Sequence, residues 1–346
     1  MSSPASSASD SAWASWFSGL LGLSAEPPEG EAVMIQGQSM VKKCGILRQT
    51  GLVTETQQQT SDMFGFKWQK RDTFEGDAFQ ADTRRWLAER YGDLENATWW
   101  SEYGNCPVVL DAGCGAGHAA LLLFGESLHR LRYLGVDISA AVDVAAARFA
   151  ERALPGSFMQ SDLCSLPLPD ESVDVILSEG VLHHTDSTER ALKTVSRHLK
   201  KGGRFLFYVY RRKGPIREFT DDYIREKVRG LSPTEAWNAM VPLTRLGKML
   251  GDLNIELDLP EPIDVLEIPA GKITLQRLFY WHIFKAYYRP EYSIEELNHI
   301  NFDWYSPVNS HRQTEDQVRQ WCREAGLQIE REVIEPAGIT VIARKE

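Results

Sequence analysis

The chain has 346 residues, 43% of them apolar, enough to bury one large core or two modest ones and too apolar for disorder throughout. Its formal charge of −10 excludes a protein that coats nucleic acid nonspecifically, since that task needs a field of Lys and Arg facing the phosphates. Five scattered cysteines with no C-x-x-C pair suggest neither a disulfide framework nor a bound metal, and they fit a reducing cytoplasm.

Residues 1 to 38 read as a flexible tail. The run "MSSPASSASDS" is linker-like, and "SAWASWFSGLLGL" after it sets Trp13, Trp16, Phe17, Leu20 and Leu21 at helical spacing. This short amphipathic helix is expected to dock on its own protein or on a partner through residues 12 to 24; attachment to a membrane surface lacks the basic residues that favour anionic lipid. The first 41 residues hold no Lys, Arg or His, so the basic start of a secretory signal is missing, and no apolar run is long enough to span a membrane.

Residues 39 to 106 read as a helical preface that contains "FGFKW". From 107 to 212 short apolar runs alternate with helical ones: "PVVLD", "RYLGVD", "SFMQSD", "VDVILS" and "GRFLFYVY" look like strands, with helices beginning near Ala116, Ser139 and Ser187. That rhythm predicts an α/β fold whose parallel sheet is covered on both faces. Residues 213 to 300 are helical and aromatic, too long for a plain loop, and are expected to fold as a cap. Residues 301 to 346 supply a last helix and two strands turning at Pro336, Ala337 and Gly338, which would close the sheet with an antiparallel strand.

The most informative run is "VVLDAGCGAG", residues 108 to 117. A strand ends in Asp111, and Gly113, Gly115 and Gly117 then let a ligand approach bare backbone. A dinucleotide turn wants G-x-G-x-x-G, but His118 stands where its third glycine would be, which argues against a dehydrogenase.

The run resembles the first motif of class I S-adenosylmethionine-dependent methyltransferases, an acidic residue followed by G-x-G-x-G. The resemblance continues in order through "YLGVDIS", "FMQSDLCSLPLPDESVDVILSEGVLHHT" and "ALKTVSRHLKKGGRFLFYVY". It implies a Rossmann-like seven-stranded sheet, mostly parallel with the last strand antiparallel, and S-adenosyl-L-methionine as cofactor, leaving as S-adenosyl-L-homocysteine. Asp137, at the tip of the second strand with Ile138 beside it, can accept hydrogen bonds from both ribose hydroxyls. The resemblance places Asp162 and Leu163 beside the adenine. Backbone of Gly113, Cys114, Gly115 and Gly117 suits the amino-acid end of the cofactor, with Asp111 ordering the loop.

Methyl transfer requires an aligned nucleophile and the exclusion of water. "SEGVLHHT" sets Glu179, His183 and His184 just past the fourth strand, and His184 is a candidate general base. Two looser elements resemble a small-molecule subgroup of methyltransferase type 11: "FGFKW", where Phe64, Phe66 and Trp68 would fold over the cofactor, and "FDWYSPVNSHRQTEDQV", where Trp304, Tyr305 and His311 would line the substrate, with His311 a rival base. Some relatives carry a zinc ribbon before the first element; only Cys44 stands there in this chain. In "YRRKG", Arg211, Arg212 and Lys213 are candidates for a phosphate or carboxylate on the substrate, a solvated basic turn being the alternative.

The leading expectation is therefore methylation, chiefly at oxygen, of a small or medium glycosyl, lipid-linked or aromatic metabolite. An RNA methyltransferase and a non-catalytic scaffold that binds the cofactor are the alternatives.

Overall fold

The computed structural model describes residues 13–51 and 53–346; the linker-like reading of "MSSPASSASDS" lies outside them. The chain opens with α1 (Ser15–Leu21), β1 (Ala32–Ile35), β2 (Gln38–Lys43) and β3 (Ile46–Gln49). Next come α2 (Glu55–Gln69) and α3 (Asp77–Tyr91). The alternating region forms β4 (Val108–Ala112), α4 (His118–Phe124), β5 (Arg132–Asp137), α5 (Ala141–Glu151), β6 (Ser157–Gln160), β7 (Val173–Glu179), α6 (Thr188–Arg197) and β8 (Leu199–Tyr210). The cap consists of α7 (Pro215–Val228), α8 (Pro233–Asp252), the β9 (Glu256–Leu259) and β10 (Gly271–Thr274) hairpin, α9 (Leu275–His282) and α10 (Ile294–Tyr305). The chain closes with α11 (Glu315–Glu324), β11 (Leu327–Ile334) and β12 (Gly338–Lys345).

The main sheet runs β1-β2-β3-β6-β5-β4-β7-β8-β12-β11. From β6 to β8 the strands are parallel, and β12 inserts antiparallel between β8 and β11. β11 carries a register shift between Ile329 and Arg331. The central strands are buried on both faces, as a parallel sheet flanked by helices requires: all five residues of β4 are inaccessible.

Three strands exceed the expected seven, and all come from the stretch read as tail and helical preface. Two tight hairpins form them. Gln36 and Gly37 join β1 to β2, Cys44 and Gly45 join β2 to β3, and all four have positive φ, as in the mirror-image turns whose twist matches that of paired strands. β3 then pairs parallel with β6, and the Arg48 guanidinium fixes the joint through Asp143 at 2.6 Å and Gln160 at 2.7 Å. A second correction concerns the cap, which extends past residue 300 because α10 runs to Tyr305 without a break.

The amphipathic face of α1 packs on this extended sheet. Phe17 (1% exposed) and Leu21 (3%) join the core beside Ile35, Met40 and Leu47, and Gly22 ends the helix in the left-handed conformation. Among the described residues no helix is long and apolar enough to cross a membrane. Removing the Phe17 ring would leave a cavity in packed surroundings. Phe17→Ala is expected to cost about 3–5 kcal/mol in urea unfolding; a loss below about 1 kcal/mol would show that α1 is not docked.

Candidate active site

A cavity of about 400 Å³ opens over the carboxyl ends of the parallel strands, where open α/β sheets place their ligands. Its floor is the glycine loop. The Gly113 and Cys114 N–H groups donate to the Val136 carbonyl at 2.7 and 2.9 Å, which ties the loop to the end of β5. Gly113 has φ +89°, and a Cβ there would lie 2.2 Å from Val181, so no side chain is tolerated. A Cβ on Gly115 would stand 2.8 Å from the Trp68 indole nitrogen, so Trp68 lies directly over the loop.

Four carboxylates line this end: Asp111, Asp137, Asp162 and Glu179. Asp111 accepts from the Tyr133 hydroxyl at 2.7 Å, and burial pushes its carboxyl up to about 7. Asp137 takes the Ser139 N–H (2.8 Å) and hydroxyl (2.6 Å) on one oxygen and the Gly115 N–H (2.8 Å) on the other. Of the roughly four acceptor positions of a carboxylate, one therefore remains, on the oxygen bonded to Gly115. Asp162 caps a short turn by accepting from the Cys164 N–H at 3.0 Å, which leaves its second oxygen free; Leu163 beside it is apolar and buried. Gln49 of β3 holds this turn, its side-chain carbonyl accepting from the Ser161 hydroxyl (2.8 Å) and the Asp162 N–H (3.0 Å). Burial pushes the Glu179 carboxyl up to about 7, with the Tyr91 hydroxyl as its hydrogen-bond donor.

The opposite end is roofed by α2 and the cap. Lys67, between Phe66 and Trp68, is buried and forms an ion pair with the half-buried Asp303, which also accepts from the Tyr210 hydroxyl at 3.0 Å. Burial alone would raise the Asp303 pKa, but Lys67, His184 and Lys285 hold it well below the usual carboxylate range. His184 lines the cavity with Phe64 edge-on at 4.9 Å. Its Nδ1 lies 2.7 Å from the Asn309 carbonyl, which can only accept, so Nδ1 carries the hydrogen. Nε2 is left as a buried acceptor with no partner among the described residues, and burial pushes the ring down to about 4, so it is neutral.

Of the residues singled out from sequence, Phe64, Trp68, Asp111, Gly113, Cys114, Asp137, Ile138, Asp162, Leu163, Glu179, His184 and Trp304 face this cavity. Others sit elsewhere. Gly115 and Gly117 shape the loop from behind, and Phe66 packs on Trp237 and Phe302. His183 is fully buried against the Tyr210 ring, centroids 3.7 Å apart, because neighbouring residues of a tight turn point in different directions. Tyr305 is also fully buried, donating to Asp221 at 2.9 Å and accepting from the Lys285 N–H at 2.7 Å. Arg211 turns away to Glu315, and His311 contributes its backbone N–H to the His183 carbonyl.

Sequence reasoning passed over Lys67, Asp303, Lys285 and Arg217, whereas Lys213 of the basic "YRRKG" cluster does line the cavity. The first two stood inside the quoted "FGFKW" and "FDWYSP" elements, where the aromatics drew the attention.

Residues 110–207 match the family model described as "Methyltransferase domain". The stretch from β4 to β8 is thus similar to a methyltransferase domain. Among relatives, an uncharacterized methyltransferase, YcgJ, of Bacillus subtilis is 32% identical over 40% of this chain and 56% of its own length. A phthiotriol/phenolphthiotriol dimycocerosates methyltransferase of Mycobacterium ulcerans is 34% identical over 37% of this chain and 46% of its own. A probable tRNA methyltransferase 9B of Bos taurus is 30% identical over 46% and 33%. The chain thus spans about half, or less, of these relatives. Among solved structures, an O-methyltransferase family protein of Burkholderia thailandensis is 13% identical over 83% of this chain and 63% of that one, with a TM-score of 0.45.

The buried charges give two tests. Asp303→Asn strands the Lys67 ammonium and is expected to cost roughly 3–5 kcal/mol in urea unfolding, most of it recovered when Lys67 is also replaced by Met. For Glu179 the folded pKa of about 7 lies above the ordinary 4.5, so the folded state holds the proton more tightly. Stability is then greatest below the ordinary value and falls as pH rises through 7. Glu179→Gln keeps an acceptor for Tyr91 without the charge, and should match wild type near pH 4 and exceed it by about 3 kcal/mol at pH 8. A pH-independent difference would contradict this account.

Proposed function

We propose that this chain transfers a methyl group from S-adenosyl-L-methionine to an oxygen atom of a small or medium organic molecule, leaving S-adenosyl-L-homocysteine. The observation that carries the reading is the shared cavity, with the glycine loop and four carboxylates at one end and a roof of aromatic and basic side chains at the other.

The residues present fit the cofactor. Asp137 offers its remaining acceptor position to the ribose, Asp162 its free oxygen to the adenine amine, and Leu163 an apolar face to the ring. The backbone at Gly113 leaves room for close approach, and Asp111 and Glu179 suit the ammonium and the positive sulfonium. When bound, the cofactor supplies a methyl carbon made electrophilic by its positive sulfur. The chain's own task is placement. His184 Nε2 accepts a hydrogen bond from the acceptor hydroxyl, orients the oxygen lone pair and takes the hydroxyl proton as the oxygen gains the methyl group; a neutral ring is the form that can do so. Of the two candidate bases His184 is favoured, because His311 lies outside the cavity lining; Glu179 faces the cofactor end. Phe64, Trp68 and Trp304 exclude water from the reacting atoms.

A cavity lined by so many aromatic rings favours an organic substrate over RNA. The same chemistry on nitrogen or carbon would need a different hydrogen-bonding partner at His184 or none.

Calorimetric titration with S-adenosyl-L-methionine and S-adenosyl-L-homocysteine tests the reading. Both are expected to bind the wild-type protein, and Asp137→Ala to weaken both by about a hundredfold, as expected when a charge-assisted hydrogen bond to the ribose is lost. Well-folded wild-type protein that binds neither ligand would refute the proposal.

A further inference from the structure

The cavity's two ends carry opposite charge, and the basic end holds more than its own carboxylates neutralise. Lys67, Lys213, Lys285 and Arg217 line it, set against the two carboxylates Asp303 and Asp221. Three of these cations are satisfied within the protein. Lys67 pairs with Asp303, and Arg217 pairs with Asp221 through its Nε at 2.8 Å. Lys213 donates to the carbonyls of Arg211, Pro336 and Ala337 at 2.7 to 2.8 Å.

Lys285 differs from the others. The residue is 8% exposed and lines the cavity, and its backbone N–H is fixed by Tyr305. Its ammonium lies 4.5 Å from the centre of the Trp304 ring; among the described residues it has no hydrogen-bond acceptor and no ion-pair partner. An ammonium that faces a cavity from a largely buried residue, with no acceptor on the protein, is left to be completed by what enters the cavity. Burial accordingly pushes the Lys285 pKa down to about 7, against the pull of Asp303.

We infer that the substrate is an organic anion whose carboxylate or phosphate group docks on Lys285 over the Trp304 ring, its apolar body lying among Tyr280, Trp281 and Tyr287. This rests on the methyl-transfer reading and narrows its substrate class. An anionic oxygen would supply the missing acceptors and offset the excess positive charge, and it would be repelled from the carboxylate-lined cofactor end, so the charge pattern also sets which way round the substrate enters. The acceptor hydroxyl then belongs to the other end of the same molecule, toward His184.

The test is a calorimetric titration of the protein saturated with S-adenosyl-L-homocysteine. The probes are benzoate, 4-hydroxybenzoate and phenyl phosphate, with benzamide and 4-hydroxybenzamide as neutral counterparts. At least one acid is expected to bind about tenfold or more tightly than the neutral compounds, and Lys285→Met to remove that advantage while leaving the S-adenosyl-L-homocysteine affinity within about twofold. Lys285→Arg keeps the charge and should retain much of the preference. The ranking of carboxylate against phosphate identifies the preferred group. Equal binding of acids and amides, acid binding unchanged in Lys285→Met, or no acid binding to the cofactor-loaded protein would each overturn the inference. Failure of S-adenosyl-L-homocysteine itself to bind would overturn the methyl-transfer reading and this one together.

Discussion

The ion pair between Lys67 and Asp303 holds the site together. It joins residues 236 positions apart, and Tyr210 at the end of β8 adds a third anchor on the same carboxylate. α2, the central sheet and α10 therefore meet at one charged point above the cavity. Aromatic packing alone is non-directional and tolerates sliding; an ion pair with a buried ammonium does not, because any separation leaves that charge unsatisfied in an apolar surrounding. The roof is thus fixed in register with the floor, and the distance from His184 to the glycine loop follows from that registration.

The same pair explains how the cavity can be electrically divided. Carboxylates gather where the strand tips and the glycine loop converge, and cations gather beneath the cap. Without Asp303, Lys67 would add to an already positive end, and without Lys67, Asp303 would blur the contrast between the ends. Paired, they leave Lys285 as the group whose charge is open to the cavity. A molecule entering this space meets a gradient along its length, which favours one orientation and places a chosen atom at the reactive centre without a contact to every part of the ligand.

Much of the fold was legible in the sequence because strand–helix alternation and a glycine-rich turn are local patterns: β4 to β8 follow apolar runs of the right length, and Asp111, Asp137 and Asp162 mark strand ends. The β1 to β3 meander was missed because its strands have four to six residues and mixed polarity, too short to show a period. The readable signal was the turn chemistry, a glycine second in each of two two-residue loops, Gln36–Gly37 and Cys44–Gly45. Site residues divide in the same way. Most of those carried by the core motifs face the cavity, Gly115, Gly117 and His183 excepted, whereas Tyr305, Arg211 and His311 lie in segments where the direction of a side chain depends on tertiary packing. Lys285 had no local signature at all, since nothing in "HIFKAYY" tells a solvated lysine from one enclosed by Trp304 and Tyr305.

The added meander has a consequence for the molecule's behaviour in a crowded solution. β6 would otherwise border the sheet with open backbone groups, an invitation to pair with another chain. β3 covers it, and the border moves out to β1, only four residues long. At the far side β11 is irregular between Ile329 and Arg331 and studded with Glu330, Arg331 and Glu332, two of them engaged by Arg204 and Arg319. Both margins of a ten-stranded sheet are thereby short, charged or bent, which guards it against edge-to-edge aggregation.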